Sequence, residues 1–304
     1  MNPFSCYPSE NEINQWADRV WKRAEDACFT VEELPINPFV LTYYPFQVVG
    51  HNRYLKFTVK GMGDFYALFQ PVISGPAPLA VHTSGYGAEF SLHNEIQAAG
   101  FNILHIQPLG YLSPDGKNEA KMQNGCWPVL PNSLDPYNEE GYFGWLAQCL
   151  IAIGYIQRHE KVIENRISFF GTSQGGGGAI LLASLFQNRG LRCVGAEQPF
   201  LTDFAESGFE GAYSMVQTEF DQQQDIALAW KALGTIDTLS HAFRIQSPIL
   251  LSTSKSDEAC PQKTVYRLYE RLSGVKAICS LDYLNHGYSA EFVQLFTAWL
   301  KIYG

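Results

Sequence analysis

The stretch Arg166-Ile-Ser-Phe-Phe-Gly-Thr-Ser173-Gln-Gly-Gly-Gly-Gly-Ala-Ile180 decides the fold that we predict for this chain. Apolar residues lead into a Gly-x-Ser-x-Gly turn, and a pattern typical of a helix follows it. This order predicts a nucleophile elbow, in which a serine sits on a strained strand-to-helix turn and glycines allow close backbone approach. The positive end of the helix favours negative charge that develops at the serine. We therefore predict that Ser173 is a nucleophile, with an exposed serine on a glycine-rich turn as the alternative.

Strand and helix patterns alternate on both sides of the elbow. The predicted buried strands are Leu79–Thr83, Asn102–Ile106, Arg166–Phe170, Leu191–Ala196, Pro248–Ser252 and Ala277–Leu281. The predicted helices between and after them are Leu92–Ala99, Glu139–Arg158, Gln174–Gln187, Gln262–Leu272 and Ala290–Ile302. Such alternation favours a mostly parallel central sheet with helices on both faces. Together with the elbow, it predicts an α/β-hydrolase fold.

The segments around this core carry patterns of their own. Ile13, Trp16 and Val20 recur at helical spacing, so we predict a helix within the N-terminal residues 1–30. Runs rich in Val, Tyr and Phe predict antiparallel strands at Val40–Val49, Arg53–Val59 and Asp64–Val72. We predict an irregular insertion at Gly110–Asn138 and a partly helical one at residues 201–243, which we expect to form a small cap over the site. The sequence shows no linker, so we interpret residues 1–304 as a single domain.

The composition narrows the classes of function. Of the 304 residues, 46% are hydrophobic and 17% are charged, which favours a well-filled core. The net charge of −9 argues against binding to nucleic acid or to an anionic membrane, because both attract basic proteins. We see no secretory signal and no membrane-spanning run, and the seven cysteines are scattered, so we expect reduced thiols in the cytoplasm. No metal-ligand spacing such as CxxC or HExxH occurs, so we expect no metal.

A serine nucleophile needs a base, and the base needs an orienting acid. In this fold the acid and the histidine follow the serine in that order, near the ends of later strands. Asp257 follows the predicted strand Pro248–Ser252, and His286 follows Ala277–Leu281, so we predict these two residues as the partners of Ser173. Glu258 and Asp282 are the rival acids. The other histidines that we considered precede the nucleophile, and we interpret them as structural residues: His82, His93 and His105.

Acyl transfer also requires two backbone N–H groups that bind the oxyanion of the intermediate. The residue after the nucleophile, Gln174, should supply one of them. The other should follow an early strand, and the glycine-flanked loop Ser84-Gly85-Tyr86-Gly87 occurs in that position. We therefore predict Tyr86 as the second donor, with simple packing of its ring as the alternative.

At this point the sequence resembles the acetyl xylan esterase and cephalosporin C deacetylase family over most of its length. The similar segments are the helix Trp16–Arg23, the loop Ser84-Gly85-Tyr86, the elbow Gly171–Gly177, Glu197-Gln-Pro-Phe-Leu-Thr-Asp203, Asp257-Glu-Ala-Cys-Pro261 and His286-Gly-Tyr288. The resemblance implies hydrolysis of small acyl esters, chiefly acetyl groups on sugars, without a cofactor. It also implies that Pro199 and Ala259 help to line a pocket sized for acetate.

The chain departs from the family pattern near the site. The family has an Arg-Gly-Gln-Gly segment where this chain has Gln107-Pro108-Leu109-Gly110, and it has a histidine where this chain has Ser84. A small-molecule ester is the expected partner, and the sequence leaves homo-oligomer formation open. Two other classes of function also stay open: another hydrolase on the same scaffold, such as a peptidase or thioesterase, and a non-catalytic binding protein.

Overall fold

A computed structural model describes residues 2–35, 51–113, 116–132 and 134–304. Its central feature is one sheet, to which the described residues contribute nine strands. They are Phe29–Leu34 (β1), Arg53–Val59 (β2), Gly63–Gln70 (β3), Ala77–Thr83 (β4), Asn102–Ile106 (β5), Val162–Thr172 (β6), Leu191–Glu197 (β7), Ile249–Thr253 (β8) and Lys276–Ser280 (β9). The strands lie in the order β1-β2-β3-β5-β4-β6-β7-β8-β9. The strand that we predict at Val40–Val49 lies outside the described residues.

The sheet is mostly parallel. The pairings β1–β2, β2–β3 and β3–β5 are antiparallel, and every later pairing in the strand order is parallel. Every residue of β5 and of β8 is buried, which explains why these strands read as uninterrupted apolar runs in the sequence. This architecture confirms the predicted fold class.

Helices cover both faces of the sheet. Their bounds are Glu10–Glu25 (α1), Asn94–Ala98 (α2), Gly141–Gln157 (α3), Gln174–Leu185 (α4), Phe204–Ser207 (α5), Ser214–Phe220 (α6), Ile226–Ile236 (α7), Thr238–His241 (α8), Gln262–Arg271 (α9) and Ala290–Tyr303 (α10). Side chains alternate between faces along a strand. Leu79 and Val81 of β4 therefore join the larger core with α1, α3 and α4, whereas Ala80 between them joins the smaller core with α2 and α10.

The N-terminal helix lies within the predicted residues 1–30 and takes up only part of them. A capping box formed by Ser9 and Glu12 begins α1, which ends at Glu25. Residues Phe29–Leu34 follow as β1, the outermost of the described strands, which pairs antiparallel with β2. Our sequence reading missed this strand because it is only partly buried and carries Glu32 and Glu33, so its apolar alternation is weak.

The insertion at residues 201–243 contains α5, α6, α7 and α8. Only Ala212 and Met215 of this segment line the cavity at the nucleophile. The later part lies to the side, where α7 packs on the N-terminal turn Pro3–Cys6 and α8 packs on α4. Of the segment that we predict as a cap, only the part around Ala212 and Met215 therefore lies at the cavity. In the part of the chain that the structure describes, no helix is both long and apolar enough to cross a bilayer.

Candidate active site

The serine of the elbow has a strained backbone. Ser173 stands between β6 and α4 with φ 58° and ψ −121°, a conformation that is costly for a residue with a side chain. Two hydrogen bonds hold it in place: its N–H donates to the carbonyl of Glu197 at 2.8 Å, and its carbonyl accepts from the N–H of Phe200 at 2.9 Å. A Cβ atom on Gly175 would overlap the carbonyl oxygen of Thr83, so this position tolerates only glycine.

Three predicted catalytic side chains meet at the elbow. The Nε2 atom of His286 lies 2.8 Å from the Oγ atom of Ser173, and its Nδ1 atom lies 3.0 Å from each carboxylate oxygen of Asp257. The Asp257 side chain is fully buried. Its Oδ1 atom also accepts the N–H groups of Ala259 and Cys260, both at 2.8 Å. The structure therefore joins a hydroxyl, an imidazole and a carboxylate in one hydrogen-bonded chain, the arrangement that a serine nucleophile requires.

The rival acids contact other partners. The Asp282 carboxylate lies 3.4 Å from the Nζ atom of Lys255 and accepts a hydrogen bond from Ser280. The Glu258 carboxylate accepts from the side-chain amide of Asn285 at 3.4 Å. Both groups are exposed on the loops that flank the histidine, and the structure gives neither a contact with the imidazole.

A residue that our sequence reasoning missed supports the histidine loop. The side-chain oxygen of Gln198 accepts the N–H of Gly287 at 2.8 Å, and its Nε2 atom donates to the carbonyl of Asn285 at 3.1 Å. Gln198 is fully buried, so this amide clamps the residues before and after His286. The sequence signal was present in the Glu-Gln-Pro-Phe-Leu segment, but only as part of the resemblance.

The carboxylic acid beneath the elbow belongs to Glu197. Its Oε2 atom accepts the hydroxyl hydrogen of Thr172 at 2.6 Å, and its side chain is fully buried. Burial raises the pKa of Glu197 to about 8. The group is therefore largely neutral near pH 7 and adds little charge next to the nucleophile.

A cavity of about 370 Å³ opens in front of the nucleophile. Its lining includes Tyr86 and Gln174, the predicted oxyanion donors, and Ala259, together with the apolar side chains of Phe200, Ala212, Met215 and Val129. Pro199 does not line it, contrary to what the resemblance implied. Pro199 is buried close to Gly176 of α4, and Phe200 takes the lining position instead.

The loop that carries Tyr86 lies against the elbow. A Cβ atom on Gly85 would come 3.4 Å from the carbonyl of Thr172 and 3.8 Å from the Cβ atom of Ser173. The Tyr86 hydroxyl donates to the carbonyl of Trp127 at 2.6 Å, which fixes the position of the ring at the cavity. Gln174 is the first residue of α4, where backbone N–H groups have no partner within the helix. The positions of both residues are compatible with an oxyanion hole.

A comparison with protein families identifies the chain's relatives. Residues 66–302 match the family model described as acetyl xylan esterase (AXE1). The chain belongs to this family. The members of such a family are carboxylic ester hydrolases of the serine type, which confirms the resemblance that the sequence showed.

Solved structures of similar fold include two acetyl xylan esterases. Acetyl xylan esterase 1 from Thermoanaerobacterium sp. JW/SL YS485 is 19% identical with a TM-score of 0.75, and the match covers 97% of this chain and 94% of that one. The acetyl xylan esterase from Paenibacillus sp. R4 is 21% identical with a TM-score of 0.74, covering 98% and 96%. An acylaminoacyl peptidase from Pyrococcus horikoshii is 18% identical with a TM-score of 0.60, covering 79% of this chain and 39% of that one.

The two departures from the family pattern contact each other in this member. The Nε2 atom of Gln107 donates to the Oγ atom of Ser84 at 3.2 Å, and both side chains are buried. The Gln107 carbonyl accepts the indole N–H of Trp145 at 2.9 Å, which anchors the segment on α3. The two residues that depart from the family pattern therefore form a hydrogen bond with each other beside the loop that carries Tyr86.

Proposed function

We propose that the protein is a serine esterase that removes acetyl and other short acyl groups from sugars or similar small alcohols. The observation that carries this proposal is the chain of hydrogen bonds from Ser173 through His286 to Asp257, at the wall of a 370 Å³ cavity. Membership in the acetyl xylan esterase family supports the acetyl ester as substrate.

In the proposed mechanism, His286 accepts the proton of Ser173 while Oγ attacks the ester carbonyl. Asp257 holds the imidazole with Nδ1–H toward the carboxylate and stabilises the imidazolium that forms. The backbone N–H groups of Tyr86 and Gln174 bind the oxyanion. His286 then donates its proton to the leaving alcohol, which yields an acyl-enzyme. Water attacks this acyl-enzyme with His286 as the base, and acetate and free Ser173 are released.

The cavity supports a small apolar acyl group. Phe200, Ala212 and Ala259 present apolar surface beside the nucleophile, whereas Glu89 and Ser91 supply polar groups elsewhere in the same lining. Acetylated xylan is the candidate natural substrate, because the names of the two similar esterases state that activity. We further propose that the protein acts in the cytoplasm, since its seven cysteines are scattered along the chain without a paired spacing.

A series of p-nitrophenyl esters tests the proposal. We expect kcat/KM to fall from acetate to butyrate and to nearly vanish at octanoate, because each added methylene would overpack the site at a cost of about 1–3 kcal/mol. Ser173→Ala should abolish turnover of every ester while the thermal unfolding midpoint changes little. A maximum of kcat/KM at acyl chains of six carbons or longer would refute the acetyl specificity. Turnover by pure Ser173→Ala protein would refute the mechanism. Release of acetate from acetylated xylo-oligosaccharides then tests the alcohol portion.

A further inference from the structure

Three histidines that the proposed chemistry does not use lie together beside the cavity. They are His82 at the end of β4, His105 at the end of β5 and His93 just before α2. All three are buried, and one ring nitrogen from each lies within 4.8 Å of the other two. The closest approach joins the Nδ1 atoms of His82 and His105 at 3.1 Å. His82 also lines the cavity that contains the nucleophile.

The neighbours of His105 fix which of its nitrogens carries hydrogen. The Nε2 atom of Gln70 donates to Asn94 Oδ1 at 3.2 Å and to Gln97 Oε1 at 3.1 Å, so the Gln70 oxygen faces the histidines. This oxygen accepts the backbone N–H of His93 at 3.3 Å and lies 3.1 Å from His105 Nε2. His105 therefore donates Nε2–H to Gln70, and its Nδ1 atom presents a lone pair to the cluster. Such a buried carbonyl partner is what orients metal-binding histidines.

One nitrogen of the cluster is left unsatisfied. The Nε2 atom of His93 is buried and has no hydrogen-bond partner among the residues that the structure describes. A buried polar atom without a partner is costly, so such an atom indicates a missing ligand or a strained site.

From this geometry we propose that His82, His93 and His105 form a binding site for one Zn²⁺ or similar divalent transition metal. Metal–nitrogen bonds of 2.0–2.1 Å in a tetrahedral site place ligand nitrogens about 3.4 Å apart. The ring nitrogens of the cluster lie within 4.8 Å of one another, so metal binding requires the rings to move closer together. The proton on His82 Nδ1 moves to Nε2, so both Nδ1 lone pairs face the metal without net loss of a proton. Water from the cavity completes the fourth position.

The site would connect the two ends of the loop that carries Tyr86. His82 lies immediately before this loop and His93 immediately after it, and His105 anchors both to the neighbouring strand. A bound metal would therefore fix the loop against the sheet and stabilise the folded protein, because it binds the folded state alone. The role that we assign to the metal is positioning of the loop, and it takes no part in the acyl transfer.

Cobalt titration of the full-length protein tests this proposal. Asp257, Cys260 and His286 also lie close enough to hold a metal, so all titrations use His286→Ala protein, in which that second site is lost. After chelator treatment, we expect one Co²⁺ per chain, a visible absorption spectrum without thiolate charge transfer, and a rise in the unfolding midpoint of a few degrees with Zn²⁺. His93→Gln, added to His286→Ala, should weaken Co²⁺ binding at least tenfold.

The matched control is His51→Gln in the same background, because His51 is exposed and distant in sequence from the cluster. It should bind Co²⁺ as the parent does. His82→Gln provides a second test if His93→Gln unfolds, and circular dichroism without metal shows which variants are folded. Failure of the parent to bind Co²⁺ after chelation would overturn the proposal, as would unchanged affinity in folded His93→Gln or His82→Gln protein.

Discussion

The carboxylate of Asp257 distributes its hydrogen bonds in a way that orients the imidazole. Oδ1 accepts the backbone N–H groups of Ala259 and Cys260, and both oxygens also lie 3.0 Å from His286 Nδ1. The turn that follows the aspartate thus holds the carboxylate in position independently of its contact with the histidine. Glu258 has the same chemistry one residue later, but its side chain is exposed and lies toward Asn285.

Asp257→Asn should lower kcat by about 10³- to 10⁴-fold, because the amide favours the wrong imidazole tautomer. His286→Ala should cost at least as much, since the three groups act as one unit. Steady-state kinetics with p-nitrophenyl acetate measure both changes. Asp282→Asn is the control and should stay within about twofold of wild type. Greater damage from Asp282→Asn or Glu258→Gln would show that the acid is misassigned.

Gln198 supports the loop that carries His286. Its replacement should therefore change the orientation of the imidazole and leave substrate binding unaffected. Gln198→Ala should lower kcat about tenfold and leave KM nearly unchanged, because His286 loses its support whereas the cavity lining is preserved. Gln246→Ala, at an exposed glutamine, is the control and should change neither constant. If Gln198→Ala lowers the free energy of unfolding but leaves kcat unchanged, the Gln198 amide stabilises the fold and does not position His286.

At the scale of elements, the junction of β6 and α4 requires the backbone to lie very close to neighbouring segments of the same chain. The first turn of α4 packs against Thr83 of β4, with Phe200 and Trp145 beside the next glycines. Side chains in place of these glycines would push the elbow away from the loop that carries Tyr86. The glycine run of the motif therefore serves packing at least as much as it serves the turn.

Two glycine substitutions in helices should have opposite effects. Gly175→Ala should destabilise the protein by about 1–3 kcal/mol and impair turnover, because its Cβ atom would overlap the Thr83 carbonyl. Gly154→Ala in α3 should stabilise it by about 0.5–1 kcal/mol, because nothing lies within 4 Å of the new atom and alanine restricts the unfolded chain. Urea denaturation measures both free energies of unfolding. A stabilising effect of Gly175→Ala would contradict the close approach at α4, and a destabilising effect of Gly154→Ala would contradict the open space at α3.

At the scale of the whole molecule, buried ionisable groups link stability to pH from both sides. Burial raises the pKa of Glu197 to about 8 and of Asp237 to about 7, and lowers that of His93 and His241 to about 4. For the acids, the folded state keeps a proton that the unfolded chain loses, so stability falls as pH rises from about 4.5 toward 8. For the histidines, the unfolded chain gains the proton first, so stability falls as pH drops from about 6.5 toward 4.

The two trends oppose each other between about pH 4.5 and 6.5, so the free energy of unfolding should vary little there and decline above about pH 6.5. Glu197→Gln should flatten the alkaline decline, since one proton per molecule corresponds to about 2 kcal/mol between roughly pH 6.5 and 8. Chemical denaturation at a series of pH values measures the curve for both proteins. An unchanged slope in Glu197→Gln would show that Glu197 is ionised in the folded protein.

Much of this protein could be predicted from its sequence because the decisive signals are local. The order of apolar strand, Gly-x-Ser-x-Gly and helix identified the elbow at Ser173, and strand ends followed by Asp257 and His286 identified the groups that the structure brings together. Each signal depends on backbone conformation within a few residues. The fold class could be predicted for the same reason, because the spacing of hydrophobic residues along the chain differs between helices and strands.

Other features depended on the tertiary structure, because they join residues that are distant in the sequence. The amide of Gln198 reaches Gly287, and Phe200 rather than Pro199 faces the cavity, which depends on how β7 leaves the sheet. The strand β1 is defined by its pairing with β2 more than by its own residues. The histidine cluster has the same origin. His82, His93 and His105 show no ligand spacing along the chain, and only the parallel register of β4 and β5, with α2 packed beside them, brings their rings together.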